Sequence, residues 1–160
     1  FGDDGKYTTG DALLDRRLTA IARTYTVEGD SLWENFHRLH LYVTTHYGYR
    51  GGSYLEEGQT GWEEELALEM TGSGRGNCYR FAALETMLAR KMGFQAWGVS
   101  GEIDTGSGFV PHGWTEIDID GRKYFCDVGI QYVQPDWDRF MKTYGQVYDC
   151  RYRVKGVLRR

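Results

Sequence analysis

A run of glycines ends at a cysteine, and that junction constrains the fold more than any other stretch. From position 72 the chain reads Gly72-Ser73-Gly74-Arg75-Gly76-Asn77-Cys78-Tyr79-Arg80-Phe81-Ala82. Phe81, Leu84, Met87, Leu88 and Met92 then recur at helical spacing, and Gly93 stands where a helix would stop. The spacing predicts a helix of about four turns with Cys78 in its first turn and Gly76 or Asn77 as the N-cap. A thiol there meets unpaired backbone N–H groups and the positive end of the helix dipole, which favour a thiolate. The glycines leave it uncrowded and let another backbone come close. A structural cysteine belongs on the apolar face; this one sits at the mouth of a loop.

The 160 residues suit one domain with a real core. We read residues 1–10, polar and Gly/Asp-rich, as a linker remnant and 11–160 as that domain. The aromatic content of 15% excludes a disordered chain, and a net charge of −4 without a basic stripe argues against nucleic acid as a partner. No apolar run reaches membrane-spanning length, so no membrane insertion is expected. The chain opens at Phe1 rather than at a Met and reads as a piece of a longer protein whose secretion signal would lie outside it. The expected location is extracellular or at the cell surface. No C-x-x-C pair or P-loop is present, so neither zinc nor any other cofactor is expected.

Upstream, Leu13, Leu14, Leu18, Ile21, Ala22 and Tyr25 trace one helical face, and Ser31-Leu32-Trp33-Glu34 is a capping box opening a second helix through Phe36, Leu39 and Val43. His37 and His40 lie three apart on it, a conceivable metal pair for which no third ligand lies nearby in sequence; both are read as ordinary helix histidines. Thr60-Gly61-Trp62-Glu63 predicts a second capping box and a third helix through Leu66 and Met70. Glu63-Glu64-Glu65 is read as its solvated face.

After the cysteine helix the period falls to two. Phe94–Gly101 reads as a strand with Ala96 and Gly98 small enough for a helix to pack close, 102–110 as a Gly/Ser-rich loop, and His112–Ile119 and Arg122–Val128 as the arms of a hairpin turning at Asp120-Gly121. A helix over Asp136–Tyr144 and a strand over Val147–Val157 follow. The pattern as a whole is α+β.

The turn sets the register. Ile119 opposes Arg122, Ile117 opposes Tyr124, Thr115 opposes Cys126, and by extension Trp114 opposes Asp127 and His112 opposes Gly129. Directly opposed residues share a face, so Asp127 projects on the same side as His112, a diagonal neighbour within reach of its ring. Gly129 leaves the ring room, and a slip of one residue would separate the two. A carboxylate on one ring nitrogen orients the imidazole and leaves the other nitrogen for Cys78: nucleophile, base and orienter. Cys126 and Cys150 are either a disulfide between neighbouring strands or two separate buried thiols.

These residues resemble the transglutaminase-like superfamily, a branch of the papain-like cysteine-enzyme fold. The likeness is carried by Gly76-x-Cys78 followed by Ala83, by Gly93 with Ala96 and Gly101, by His112-x-Trp114, by Asp120-Gly121 and by Asp127. It covers about residues 30–130, and the bacterial members fit best. The resemblance implies N-terminal helices and a central Cys-bearing helix packed on an antiparallel sheet. It also implies Cys78 as nucleophile, His112 as general base and acid, and Asp127 as orienter. The expected activity is acyl transfer on peptide or glutamine amides, hydrolysis by a peptidase or amidase before transfer to an amine. A catalytically silent binding module is the rival. The substrate would be a peptide or protein, with cell-wall peptide, host protein and neighbouring domains all open. Tyr79 stands where animal transglutaminases carry a Trp, so calcium dependence and cross-linking are not carried over. A second oxyanion donor is expected upstream, from Trp62, Gln59, Tyr49 or Tyr47.

Overall fold

The computed structural model describes residues 7–159. Only positions 7–10 of the expected linker remnant are among them. Tyr7 packs on the core beside the Arg90 guanidinium, 5.9 Å from its ring.

The cysteine helix, α4 (Cys78–Lys91), is the centre of the molecule, with eleven of its fourteen residues buried. Helices α1 (Ala12–Tyr25), α2 (Leu32–His46) and α3 (Glu63–Ser73) pack against it or its neighbours. Asp11 caps α1, and Ser31 with Glu34 forms the expected capping box on α2. A two-residue parallel pairing joins β1 (Gly48–Tyr49), just past α2, to β2 (Arg75–Gly76), just before Cys78.

On the other side of α4 lies a four-stranded antiparallel sheet of β3 (Gln95–Asp104), β4 (Phe109–Ile119), β5 (Arg122–Cys126) and β6 (Arg151–Val157), in the order β5-β4-β3-β6. The hairpin register is the one the turn dictates: Ile119 pairs with Arg122, Ile117 with Tyr124 and Thr115 with Cys126. Asp120 and Gly121 both take positive φ, 53° and 84°, as a two-residue turn of this type requires. Gly98 lets α3 approach: a Cβ there would lie 2.6 Å from the Trp62 indole. Among the described residues no helix is long and apolar enough to cross a membrane.

Several expectations are corrected. Trp62, not Thr60, holds the N-cap position of α3, and it makes no side-chain cap bond. The Glu63 carboxylate instead accepts the Gly98 N–H (3.1 Å) and is buried, so only Glu64 and Glu65 form a solvated face. The glycine loop after β3 is short, because Asp104 accepts the N–H groups of Gly106 and Gly108 and turns the chain within four residues. β5 ends at Cys126, since Asp127 leaves the strand and caps α5 (Val128–Val133) through the Ile130 N–H. Asp136–Tyr144 is not helical. Lys142 pairs with Phe125 in both directions (2.7 and 3.0 Å) and the Arg139 carbonyl accepts the Asp127 N–H, so this segment covers the open edge of β5. The last strand begins at Arg151, later than its apolar pattern suggests. Cys126 and Cys150 are separate free thiols in different core clusters.

Candidate active site

Cys78 opens α4 with Asn77 at the N-cap. The Asn77 side chain does not cap the helix; it donates to the Ser53 carbonyl (3.1 Å) and holds the loop after β1 in place. The glycine before it is forced by packing, because a Cβ on Gly76 would lie 2.5 Å from Arg80 Cβ and 2.9 Å from the Met70 sulfur. α5 presses on the first turn of α4: a Cβ on Gly129 would sit 3.4 Å from Cys78 Cα and Cβ. Gly129 thus makes room for the cysteine rather than for the His112 ring. Gly113 does the same for Tyr79, whose ring would lie 2.5 Å from an added Cβ.

His112 extends from β4, and its Nε2 lies 2.7 Å from Asp127 Oδ2. An ionised carboxylate only accepts, so Nε2 carries the proton and Nδ1 is the ring nitrogen left for Cys78, whose thiol lies beside this imidazole. Burial opposes charge on the ring. The Asp127 carboxylate and Cys78 outweigh it and hold His112 well above the ordinary histidine value. Asp127 is fully buried with three donors: His112 Nε2, the Tyr152 hydroxyl at 2.7 Å to the same oxygen, and the Ile130 N–H at 3.1 Å to the other. The Tyr152 hydroxyl in turn accepts from Arg139 Nε (3.3 Å). Burial beside Asp127 pushes Tyr152 up, so it remains an O–H donor. Trp114 stacks behind His112 with ring centroids 6.0 Å apart and is anchored through Nε1–H to the Tyr144 hydroxyl (2.9 Å).

The structure thus gathers Cys78, His112 and Asp127 and adds Tyr152, which nothing in the sequence separated from the other tyrosines of the last strand. It also ranks the four upstream candidates for an oxyanion donor. Trp62 Nε1 donates to the Gln59 carbonyl, the Gln59 side-chain oxygen accepts the Glu56 N–H, and the Tyr47 hydroxyl pairs with that of Tyr42. The Tyr49 hydroxyl lies beside Cys78. Its ring stacks between Phe81 and Tyr132, at 6.0 and 6.2 Å. Burial, with Cys78 beside it, pushes Tyr49 up to about 12.

His37 and His40 form no pair: their rings are 6.4 Å apart, His37 is exposed against Phe140, and His40 is fully buried.

A model of the transglutaminase-like superfamily matches residues 19–127. The chain belongs to that superfamily. No curated protein matches it. The transglutaminase-like chain is similar to the crystal structure of a proposed cysteine protease from Cytophaga hutchinsonii, with a TM-score of 0.58 and 14% identity over 96% of this chain and 53% of the other. It is also similar to the crystal structure of a TGase, with a TM-score of 0.56 and 14% identity over 79% of this chain and 34% of the other. At such identity the likeness is one of fold: helices packed on an antiparallel four-stranded sheet. The chain spans about half the length of the first structure and a third of the second.

Proposed function

We propose that the chain is a cysteine acyl-transfer enzyme acting on amides of a peptide or protein, with hydrolysis as its main outcome. The observation that carries this reading is the His112–Asp127 hydrogen bond, which leaves Nδ1 of an oriented imidazole for a cysteine at a helix N-terminus. The Cys78 thiol gives its proton to His112 Nδ1, the sulfur attacks the amide carbonyl and an S–C bond forms. The oxyanion takes hydrogen bonds from the Cys78 N–H and, in this reading, from the Tyr49 hydroxyl. The C–N bond then breaks as His112 Nδ1 gives its proton to the leaving amine. In the second half His112 takes a proton from water, the hydroxyl adds to the thioester, and the acid leaves with Cys78 restored.

Iodoacetamide at pH 6 should label Cys78 much faster than a free thiol; an inert Cys78 would favour a silent binding module. Incubation with a glutamine-containing peptide and a labelled amine then divides the class. Ammonia or new N-termini without amine incorporation is the expected result, and amine incorporation would make the protein an amine transferase.

A further inference from the structure

Two turns along α4 from Cys78, on the same face, a second group of chemistry-bearing side chains is sealed inside the molecule. His40 from α2, Glu85 from α4 and Cys126 from β5 are all fully buried, and their ligand atoms lie within 4.8 Å of one another. None of the three is used in the proposed reaction.

Their surroundings are those of metal ligands. His40 Nε2 is 2.6 Å from Gln131 Oε1, an oxygen that also accepts the Arg139 N–H (3.0 Å). Nε2 is therefore a donor, and Nδ1 faces into the group, where it donates to Glu85 Oε1 at 2.8 Å in a buried ion pair. An ion would displace that inner proton and take the Nδ1 lone pair while the outer N–H stays on its carbonyl, the usual arrangement of such a ligand. Cys126 Sγ accepts the N–H of Met141 at 3.3 Å. Met141 is held at a positive φ of 49°, which hairpin geometry accounts for at Asp120 but not here; the strained residue aims its amide at the sulfur. Glu85 Oε2 is the one buried side-chain polar atom among the described residues with no hydrogen-bond partner.

We propose that His40, Glu85 and Cys126 bind a divalent zinc-class ion, through Nδ1, both carboxylate oxygens and the thiolate. Nitrogen, sulfur and oxygen donors together suit zinc. Ligand atoms of different residues, each about 2.0–2.3 Å from a common centre, lie roughly 3.5 Å apart, so shifts of about an ångström complete the site, the bidentate Glu85 carboxylate distorting the tetrahedron. The charges close once the His40 Nδ1 proton and the Cys126 thiol proton leave to solvent: the carboxylate and the thiolate are then neutralised by one dication, and Glu85 Oε2 gains its partner. The ion would tie α2, α4 and β5 together one residue from Asp127. It is structural, with no part in the acyl-transfer steps.

Because the site is sealed, loading accompanies folding. Untagged protein is refolded from guanidinium with equimolar Zn²⁺ or Co²⁺, dialysed, and assayed for metal content, visible absorption and thermal midpoint. The expected result is one ion per chain, a thiolate-to-cobalt charge-transfer band and a raised midpoint. Cys126→Ser should abolish the band and weaken retention at least 100-fold. Glu85→Gln, which keeps size and hydrogen bonding, should weaken retention by a similar factor and decides the matter where Cys126→Ser does not refold. A folded wild type that retains no ion, or retention unchanged in Glu85→Gln, overturns the proposal. So does bound cobalt without the thiolate band.

Discussion

The molecule contains a cysteine, a histidine and a carboxylate twice. In front, Cys78, His112 and Asp127 meet where α4 begins; behind, Cys126, His40 and Glu85 meet at its middle. The two sets share α4 and adjoin at Cys126 and Asp127. In the front set the carboxylate has donors on both oxygens and can only hold the imidazole. In the rear set one oxygen has no donor. In front the sulfur sits in the first turn of a helix, buried at 3% exposure, beside the half-exposed Tyr49; behind, it is fully buried and accepts the Met141 N–H. Residue type does not separate the two. The place of the sulfur and the completion of hydrogen bonds do: in our reading a helix N-terminus suits the front set to chemistry, and an unpartnered carboxylate oxygen suits the rear set to an ion.

The sharpest way to break the comparison is Cys78→Ala. It should reduce turnover to the uncatalysed level while the fold persists, the thermal midpoint moving by only a few degrees because a single small buried group is lost. Next comes Asp127→Asn. Asparagine still caps α5, so the fold should persist by circular dichroism while kcat falls by about 10²–10⁴-fold with the ring no longer held in its tautomer. Tyr49→Phe should lower kcat by about 10²–10³-fold with KM little changed, the loss of one oxyanion donor. An unchanged kcat would return that role to the other upstream candidates.

Much of the frame behind these variants was legible in the chain. Cys78 announced itself because a glycine run and the start of a helical period coincide on it. His112 and Asp127 could be brought to one face because Asp120-Gly121 admits a single tight turn, and a turn fixes register along both arms. What failed were segments whose fate depends on distant partners. Trp137, Phe140 and Met141 have helical spacing, yet an unpaired edge on β5 captures their backbone as an extended cover. Glu63 looked like a cap and a solvated charge, but the Gly98 amide claims it. Tyr152 carried no local mark, and Glu85 showed only as a charge inside an apolar run, since their partners lie 25 and 45 residues away.

Two smaller effects sharpen the front set. Tyr152→Phe leaves Asp127 Oδ2 with His112 alone, and kcat should fall roughly tenfold with a shifted pH profile, while a purely structural tyrosine would lower only the thermal midpoint. Protonation should also show in stability. The His112 value in the folded state lies above the ordinary 6.5, so its stabilising contribution is complete below about 6.5 and is lost as pH rises through the higher folded value. The thermal midpoint of the wild type, measured against His112→Gln, should therefore narrow its lead on going from pH 6 to alkaline solution.

Asp127 anchors a ring with one oxygen and begins a helix with the other. Those two duties lock the length of the side chain. A glutamate, one methylene longer, would have to surrender either the amide or the imidazole, and α5 leans directly on the backbone of Cys78. Any drift at this position would therefore be felt at the sulfur twice, once through the base and once through the floor beneath it.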